Sequence, residues 1–273
     1  MDAVPPRINE PQPVNRVRWW IHLTLIAAYV LIVGVVGLVR NKPTHPVLSH
    51  TAKGLVMVSG MELLLFGAVF TLAWLASRAS RDDLLLRWRG NVMPVLLGAA
   101  YSVGLRVVVG IVAVLIAAVL VATRAMTTDS LGDYVTKNRP GVENVVDVAA
   151  LQDNPAYYWL TLTVVSFVVA GLREELWRAS FLAGMKKLWP GRFGSTFGQI
   201  GAVVIAAVIF GLAHLSMGSV AAFMAGLLGL GLGLIMVLHR SIWPAVLAHG
   251  FFDATSMALI PWGIEMMKHL PKS

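Results

Sequence analysis

Six side chains in the C-terminal part of the chain, Glu174, Glu175, Arg178, His214, His249 and Asp253, have the types and spacings of an acid–base site. In Arg173-Glu174-Glu175-Leu176-Trp177-Arg178, two carboxylates stand four and three residues before an arginine. On a helix both spacings fall on one face, so the guanidinium can neutralise a carboxylate beside it. Phe210-Gly211-Leu212-Ala213-His214 closes an apolar run with an imidazole, and His249-Gly250-Phe251-Phe252-Asp253 places an imidazole and a carboxylate one turn apart. A carboxylate at that distance can accept a hydrogen bond from one ring nitrogen, fix the tautomer and aim the other nitrogen at a cavity. The chain has no cysteine, which removes thiolate nucleophiles, disulfides and cysteine metal sites together.

The elements that must hold these groups are membrane helices. Of 273 residues 57% are hydrophobic and 13% charged, and the mean hydropathy is +0.73. Apolar runs of about 20 residues, enough to cross a hydrocarbon core, recur along the sequence. They predict an all-α fold, a polytopic transmembrane helical bundle of about seven to eight spans. An Arg or Asp at the centre of such a helix costs about 2.5 to 3.5 kcal/mol on insertion scales, so an ionisable cluster at that depth calls for a functional reason. At 1.5 Å per residue, Glu174 and His214 both lie roughly 20 Å from the helix ends nearest Lys187 and Gly201, and His249 roughly 10 to 14 Å from the end near Arg240. Uneven helix ends or a tilt would bring them level. Glu62, Arg106 and His22 also fall within spans but have no partner at helical spacing, so they read as snorkelling or lumen-facing residues. Arg173 reads either as a charge in the cavity or as a group facing the headgroups.

The organisation follows from the same pattern. Residues 1–18, with four prolines, form a polar tail rather than a cleavable signal, and 19–123 hold the N-terminal membrane helices. The long apolar run from Val92 to Thr123 suggests a break between Pro94 and Gly104. Residues 124–155 read as a polar extramembrane loop, 156–265 as the helical core that carries the six residues, and 266–273 as a C-terminal tail. Asp82, Asp83 and Leu84 to Leu86 suggest a short amphipathic segment on the surface. Alternate loops carry eleven Lys and Arg on the side of the N-terminus and eight on the other, which favours a cytoplasmic N-terminus in a membrane of the bacterial inner type. The net charge of +8 is scattered over these loops, which points to lipid headgroups and away from nucleic acid.

The three motifs, in this order on successive helices, resemble those of the CPBP family. These intramembrane proteases include the eukaryotic CAAX prenyl endopeptidase and bacterial bacteriocin-processing or self-immunity proteins. The resemblance covers about the C-terminal 115 residues and rests on Glu174/Glu175/Arg178, Phe210/His214 and His249/Asp253. In the family the Arg usually stands five after the first Glu, whereas Arg178 is four after Glu174. Counted from Phe181-Leu182-x-Gly184, the Glu pair keeps its place and the Arg has moved. The resemblance implies an endopeptidase acting on a membrane protein or lipidated peptide. Glu174 with His214 would activate a water, His249 with Asp253 would form the oxyanion site, and Arg178 would hold the carboxylates.

A zinc site at Glu174, His214 and His249 stands as the second mechanism, behind one without a cofactor. A catalytically silent scaffold or membrane chaperone of the same fold, and a proton-coupled transporter, are the rival classes. The latter would favour a repeat symmetry that the sequence lacks.

Overall fold

The computed structural model describes residues 15–39, 48–88, 90–138 and 146–268. Among these the chain is helical throughout, with no strand: α1 (Arg16–Val39), α2 (Ala52–Ser77), α3 (Met93–Ala122), α4 (Thr128–Asn138), α5 (Val148–Asp153), α6 (Pro155–Leu160), a π segment (Thr161–Leu172), α7 (Arg173–Leu188), α8 (Pro190–Phe193), α9 (Thr196–Ala213), α10 (Ser219–His239) and α11 (Trp243–Lys268). Local chemistry sets many of the boundaries. Thr51, Asn154 and Ser195 cap α2, α6 and α9 by accepting hydrogen bonds from the amides of Gly54, Tyr157 and Gly198. Arg78 and Arg240 end α2 and α10 in the left-handed conformation, at φ 55° and 47°.

Among the described residues six helical stretches are long and apolar enough to cross a membrane: α1, α2, α3, the continuous 155–188 rod, α9 and α10. His249, Asp253, Thr255 and Ser256 make α11 more polar, and it packs along the π segment and α3. Contacts at one end tie these passages together. Arg16 donates to the Leu188 carbonyl, Lys187 pairs with Asp83 at 2.8 Å, and the amide of Ile242 donates to Leu85. At the other end His50 contacts Asp147, and Tyr134 of α4 shares a hydrogen bond with Ser219. The first end therefore gathers Arg16, Arg18, Arg78, Arg81, Arg87, Lys186, Lys187, Arg192 and Arg240. Arg7, Arg89, Arg40, Lys42, Arg139 and Lys272 lie outside the described residues.

The core forms around α7. Eleven of its sixteen residues are buried, and its neighbours are α1, α9 and the π segment. Trp177 donates to the Ile26 carbonyl of α1, and its ring stacks on Phe181 and Phe210. His22 is fully buried where α1, α2 and α7 meet, its two ring nitrogens against the carbonyls of Ala73 and Ser180. It thus has partners that helical spacing within α1 could not reveal.

Three expectations are corrected. Helix α3 runs unbroken for 30 residues, because Pro94 sits in its first turn, where a missing amide hydrogen costs no intrahelical bond. The polar stretch 124–155 contains α4 and α5, the latter capped by Asp147. The segment read as amphipathic on the surface, 81–86, is built around turns and tucked against the bundle, with Leu84 buried and the carbonyls of Leu85 and Leu86 accepting from Ile242 and Trp243.

Asp83 fastens this capping loop to α7. Burial pushes its carboxyl up, but Lys187 and the amide and hydroxyl of Ser80 outweigh that and hold it below its ordinary value of 3.8. A carboxyl lowered in the fold contributes stability above its unfolded value, and that contribution is lost as pH falls through the folded value. Asp83→Asn should therefore cost about 1 kcal/mol or less at pH 7, with the difference from wild type closing below pH 4 in thermal unfolding curves in detergent.

Candidate active site

The first two motifs of the site are arranged around a guanidinium that has no access to water. Arg178 and Glu175 are both fully buried and form a close ion pair across one helical turn of α7. The slot that admits Arg178 lies between α9 and α10. Its guanidinium lies over the Phe210 ring at 5.0 Å. A Cβ on Gly229 would stand 3.3 Å from Arg178 Nη2, and one on Gly233 would stand 3.3 Å from Arg178 Cδ and 2.6 Å from Val203. These two glycines make room for the arginine. The Nε and Nη2 donors of Arg178 find no acceptor among the described residues, so Glu175 is its one charged partner.

The second carboxylate turns the other way. Glu174 Oε1 accepts from Arg173 Nη2 at 2.9 Å, and Arg173 Nη1 donates to Glu62 of α2, also at 2.9 Å. Tyr29 of α1 is within hydrogen-bonding reach of Arg173. Arg173 is thus a charge inside the bundle, not a headgroup ligand. The expectation that Arg178 holds both carboxylates is corrected, since the two lie on different sides of α7 and each has an arginine of its own.

His249 of α11 joins the two halves. Its Nδ1 donates to Glu175 Oε1 at 3.1 Å, while Nε2 faces Glu174 Oε2 at 3.8 Å and Asp253 Oδ2 at 3.6 Å. Both Nε2 separations exceed hydrogen-bond length. The imidazole is therefore anchored by Glu175, and the expected anchoring by Asp253 is corrected. Close packing explains the reach: a Cβ on Gly250 would stand 2.2 Å from Phe167 of the π segment, and one on Gly171 would stand 2.9 Å from the Val246 carbonyl. Counting 1.5 Å per residue from the Glu175–His249 contact, α7 extends roughly 10 Å beyond the start of α11. Uneven helix ends, closed by residues 78–88, bring the motifs level.

His214 terminates α9. Its Nδ1 donates to the Phe210 carbonyl at 2.8 Å, which leaves Nε2 as the free nitrogen. It lies within electrostatic reach of Asp253, so the third motif meets the second at that carboxylate. Asp253 is also near Arg106 of α3. Arg106 packs over the Phe252 ring at 4.2 Å, donates to the Phe252 carbonyl and Thr255, and reaches Ser256 at 3.2 Å.

Reading the sequence missed Glu62 and Arg106 as neighbours of the site. Arg106 has a local partner in Ser102, one turn back at 2.7 Å, but the contacts that bring Glu62 and Arg106 to the site span 111 and 146 or more residues, which local spacing could not flag. The signal available was their charge within otherwise apolar spans.

Three arginines, Arg106, Arg173 and Arg178, stand among four carboxylates, Glu62, Glu174, Glu175 and Asp253. Among the described residues no three His, Asp or Glu side chains converge as ligands for one metal ion. In the zinc set Glu174, His214 and His249, the Nδ1 of each imidazole is already engaged, and His249 Nε2 lies between two carboxylates.

Residues 155–255 match the family model of the Rce1-like type II CAAX prenyl endopeptidases. The match contains all six residues and bears out the resemblance seen in the three motifs: this segment is similar to that of the CAAX prenyl endopeptidases. No curated protein and no solved structure matches the chain.

Removing the charge of Glu175 strands Arg178, and breaking a buried pair by deleting one partner costs about 3 to 5 kcal/mol. Glu175→Gln should lower thermal stability by an amount in that range, whereas Glu174→Gln, whose carboxylate is partly exposed, should cost much less. Unfolding of both variants in the same detergent measures the contrast.

Proposed function

We propose that the chain hydrolyses a peptide bond of a membrane-associated substrate, a prenylated CAAX-type peptide, by means of a water activated by Glu174. The observation that carries this reading is the asymmetry of the Glu174 carboxylate. One oxygen is held by Arg173, and the other faces His249 Nε2 across 3.8 Å, with no hydrogen bond to it. A carboxylate fixed through one oxygen keeps the lone pairs of the other for a water proton. Glu175, by contrast, gives one oxygen to Arg178 and the other to His249, which fits a positioning role.

The remaining groups divide the work. His214, its tautomer set by the Phe210 carbonyl, offers Nε2 to the same water. His249 is locked by Glu175 and acts as the imidazolium, protonated on both ring nitrogens among the carboxylates of Glu174, Glu175 and Asp253, so that Nε2–H is directed at the space bounded by Glu174 and Asp253 and donates to the oxyanion of the tetrahedral intermediate. Glu174, having taken the water proton, returns it to the leaving amine. Asp253, steadied by Arg106, keeps the far side of that space polar. No step requires a metal.

Replacement of Glu174 by Gln, or of His214 or His249 by Ala, should each reduce turnover at least about a hundredfold, the scale on which a general base or an oxyanion donor acts. The assay is cleavage of an internally quenched prenylated CAAX-type peptide by the full chain in liposomes. Membranes bearing wild type should also contain cleavage products that Glu174→Gln membranes lack. Wild-type turnover in Glu174→Gln contradicts the assignment.

The basic end is proposed to face the cytoplasm, following the eleven to eight distribution of Lys and Arg. On this cysteine-free background, a cysteine at position 190 should be labelled from the cytoplasmic side and one at position 132 from the opposite side. The reverse pattern would invert the topology.

A further inference from the structure

Glu62 has no counterpart in the segment that matches the protease family, since α2 lies wholly outside 155–255. It nevertheless ends in the same charged cluster as Glu174. Between them stands Arg173, and the guanidinium is divided: Nη1 goes to Glu62 Oε2 and Nη2 to Glu174 Oε1, each at 2.9 Å. Arginine and a carboxylate left alone favour the two-pronged fork, in which both carboxylate oxygens are tied by parallel N–H groups. That pairing is absent here. Arg173 holds Glu174 by one oxygen only, because its other prong is occupied.

We infer that Glu62 is a positioning residue for hydrolysis, holding one prong of Arg173 so that Glu174 keeps a carboxylate oxygen free for water. This inference rests on Glu174 being the base. The arrangement fits the exposures: the Arg173 and Glu174 side chains are each 17% accessible, whereas Glu62 is 35% accessible and lies at the outer edge of the cluster. Glu62 therefore does not touch the reacting atoms; it acts through Arg173. Tyr29 of α1 steadies Arg173 from another direction, and it carries no charge that could replace the Glu62 carboxylate.

Removing the Glu62 carboxylate frees Nη1 to swing onto Glu174 Oε2. The base is then clamped at both oxygens, and the chemical step slows although substrate binding is untouched. A purely structural Glu62 would behave otherwise, since loss of its ion pair would act on folding, and loss of Arg173 as well would deepen the defect. The two cases separate in the double variant. Replacing Arg173 by Gln removes the clamp, so it should rescue a Glu62 variant whose fault is clamping and worsen one whose fault is packing.

The experiment measures kcat and KM of the full chain in liposomes on the quenched prenylated CAAX-type peptide, with unfolding temperature as a control. Glu62→Leu should lower kcat at least about tenfold with KM within about twofold, a loss confined to the transition state. Glu62→Gln, which keeps an acceptor for Nη1, should fall between it and wild type, and it serves alone if the Leu variant does not fold. Adding Arg173→Gln to Glu62→Leu should restore most of the lost kcat. The inference is overturned if Glu62→Leu and Glu62→Gln both keep wild-type kcat, or if Arg173→Gln deepens the loss. An active Glu174→Gln instead overturns the assignment of the base, and a wild type that yields no product overturns both.

Discussion

The arrangement depends on a guanidinium buried completely inside a helical bundle. Arg178 is out of contact with water, and an unpaired ion in that position costs several kcal/mol. Glu175 must therefore stay ionised and within reach, and Gly229 and Gly233 must stay without side chains so that the group fits between α9 and α10. Once Glu175 is committed in this way, its second oxygen is a fixed acceptor on the face of α7 that looks toward α11. His249 is held there. The orientation of the imidazole is thus inherited from the need to neutralise an arginine one turn along α7.

The same constraint separates the two neighbouring carboxylates. Because Glu175 faces inward, Glu174 is turned about 100° round the helix, toward α2 and away from Arg178. There it meets Arg173 and, through it, Glu62. Two adjacent glutamates thereby have different partners, different exposure and different freedom, which is what a base and its support require. Helices outside the matched segment complete the surroundings: α1 supplies Tyr29, α2 Glu62 and α3 Arg106. The N-terminal half of the chain is part of the site's electrostatics as well as a membrane anchor.

Much of this was legible in the sequence, because charge is conspicuous where every neighbour is apolar. Glu174, Glu175, Arg178, His214, His249 and Asp253 stood out by type and spacing, and the structure brings them to one region of the bundle. Pairing was not legible. Helical spacing allowed either glutamate to reach Arg178, and only the packing of α10 and α11 against α7 decides for Glu175. The same spacing suggested Asp253 as the anchor of His249, whereas the close approach of Gly171 and Gly250 puts Glu175 nearer. The π segment over Thr161–Leu172 has no signature among Val, Leu, Thr and Phe, although such segments recur at functional sites. Pro94 misled because proline ends helices as often as it begins them, and its role depends on where the first turn falls.

The central claim is that the free oxygen of Glu174 activates water rather than attacking the peptide itself. A single turnover in water enriched in oxygen-18, followed by mass spectrometry of product and protein, separates the two routes. A general base places one heavy oxygen in the new carboxylate of the product and leaves Glu174 unlabelled. Attack by Glu174 would form an anhydride, and its hydrolysis at the glutamyl carbonyl would place heavy oxygen in the glutamate side chain, so recovery of that label in the peptide containing Glu174 would contradict the account.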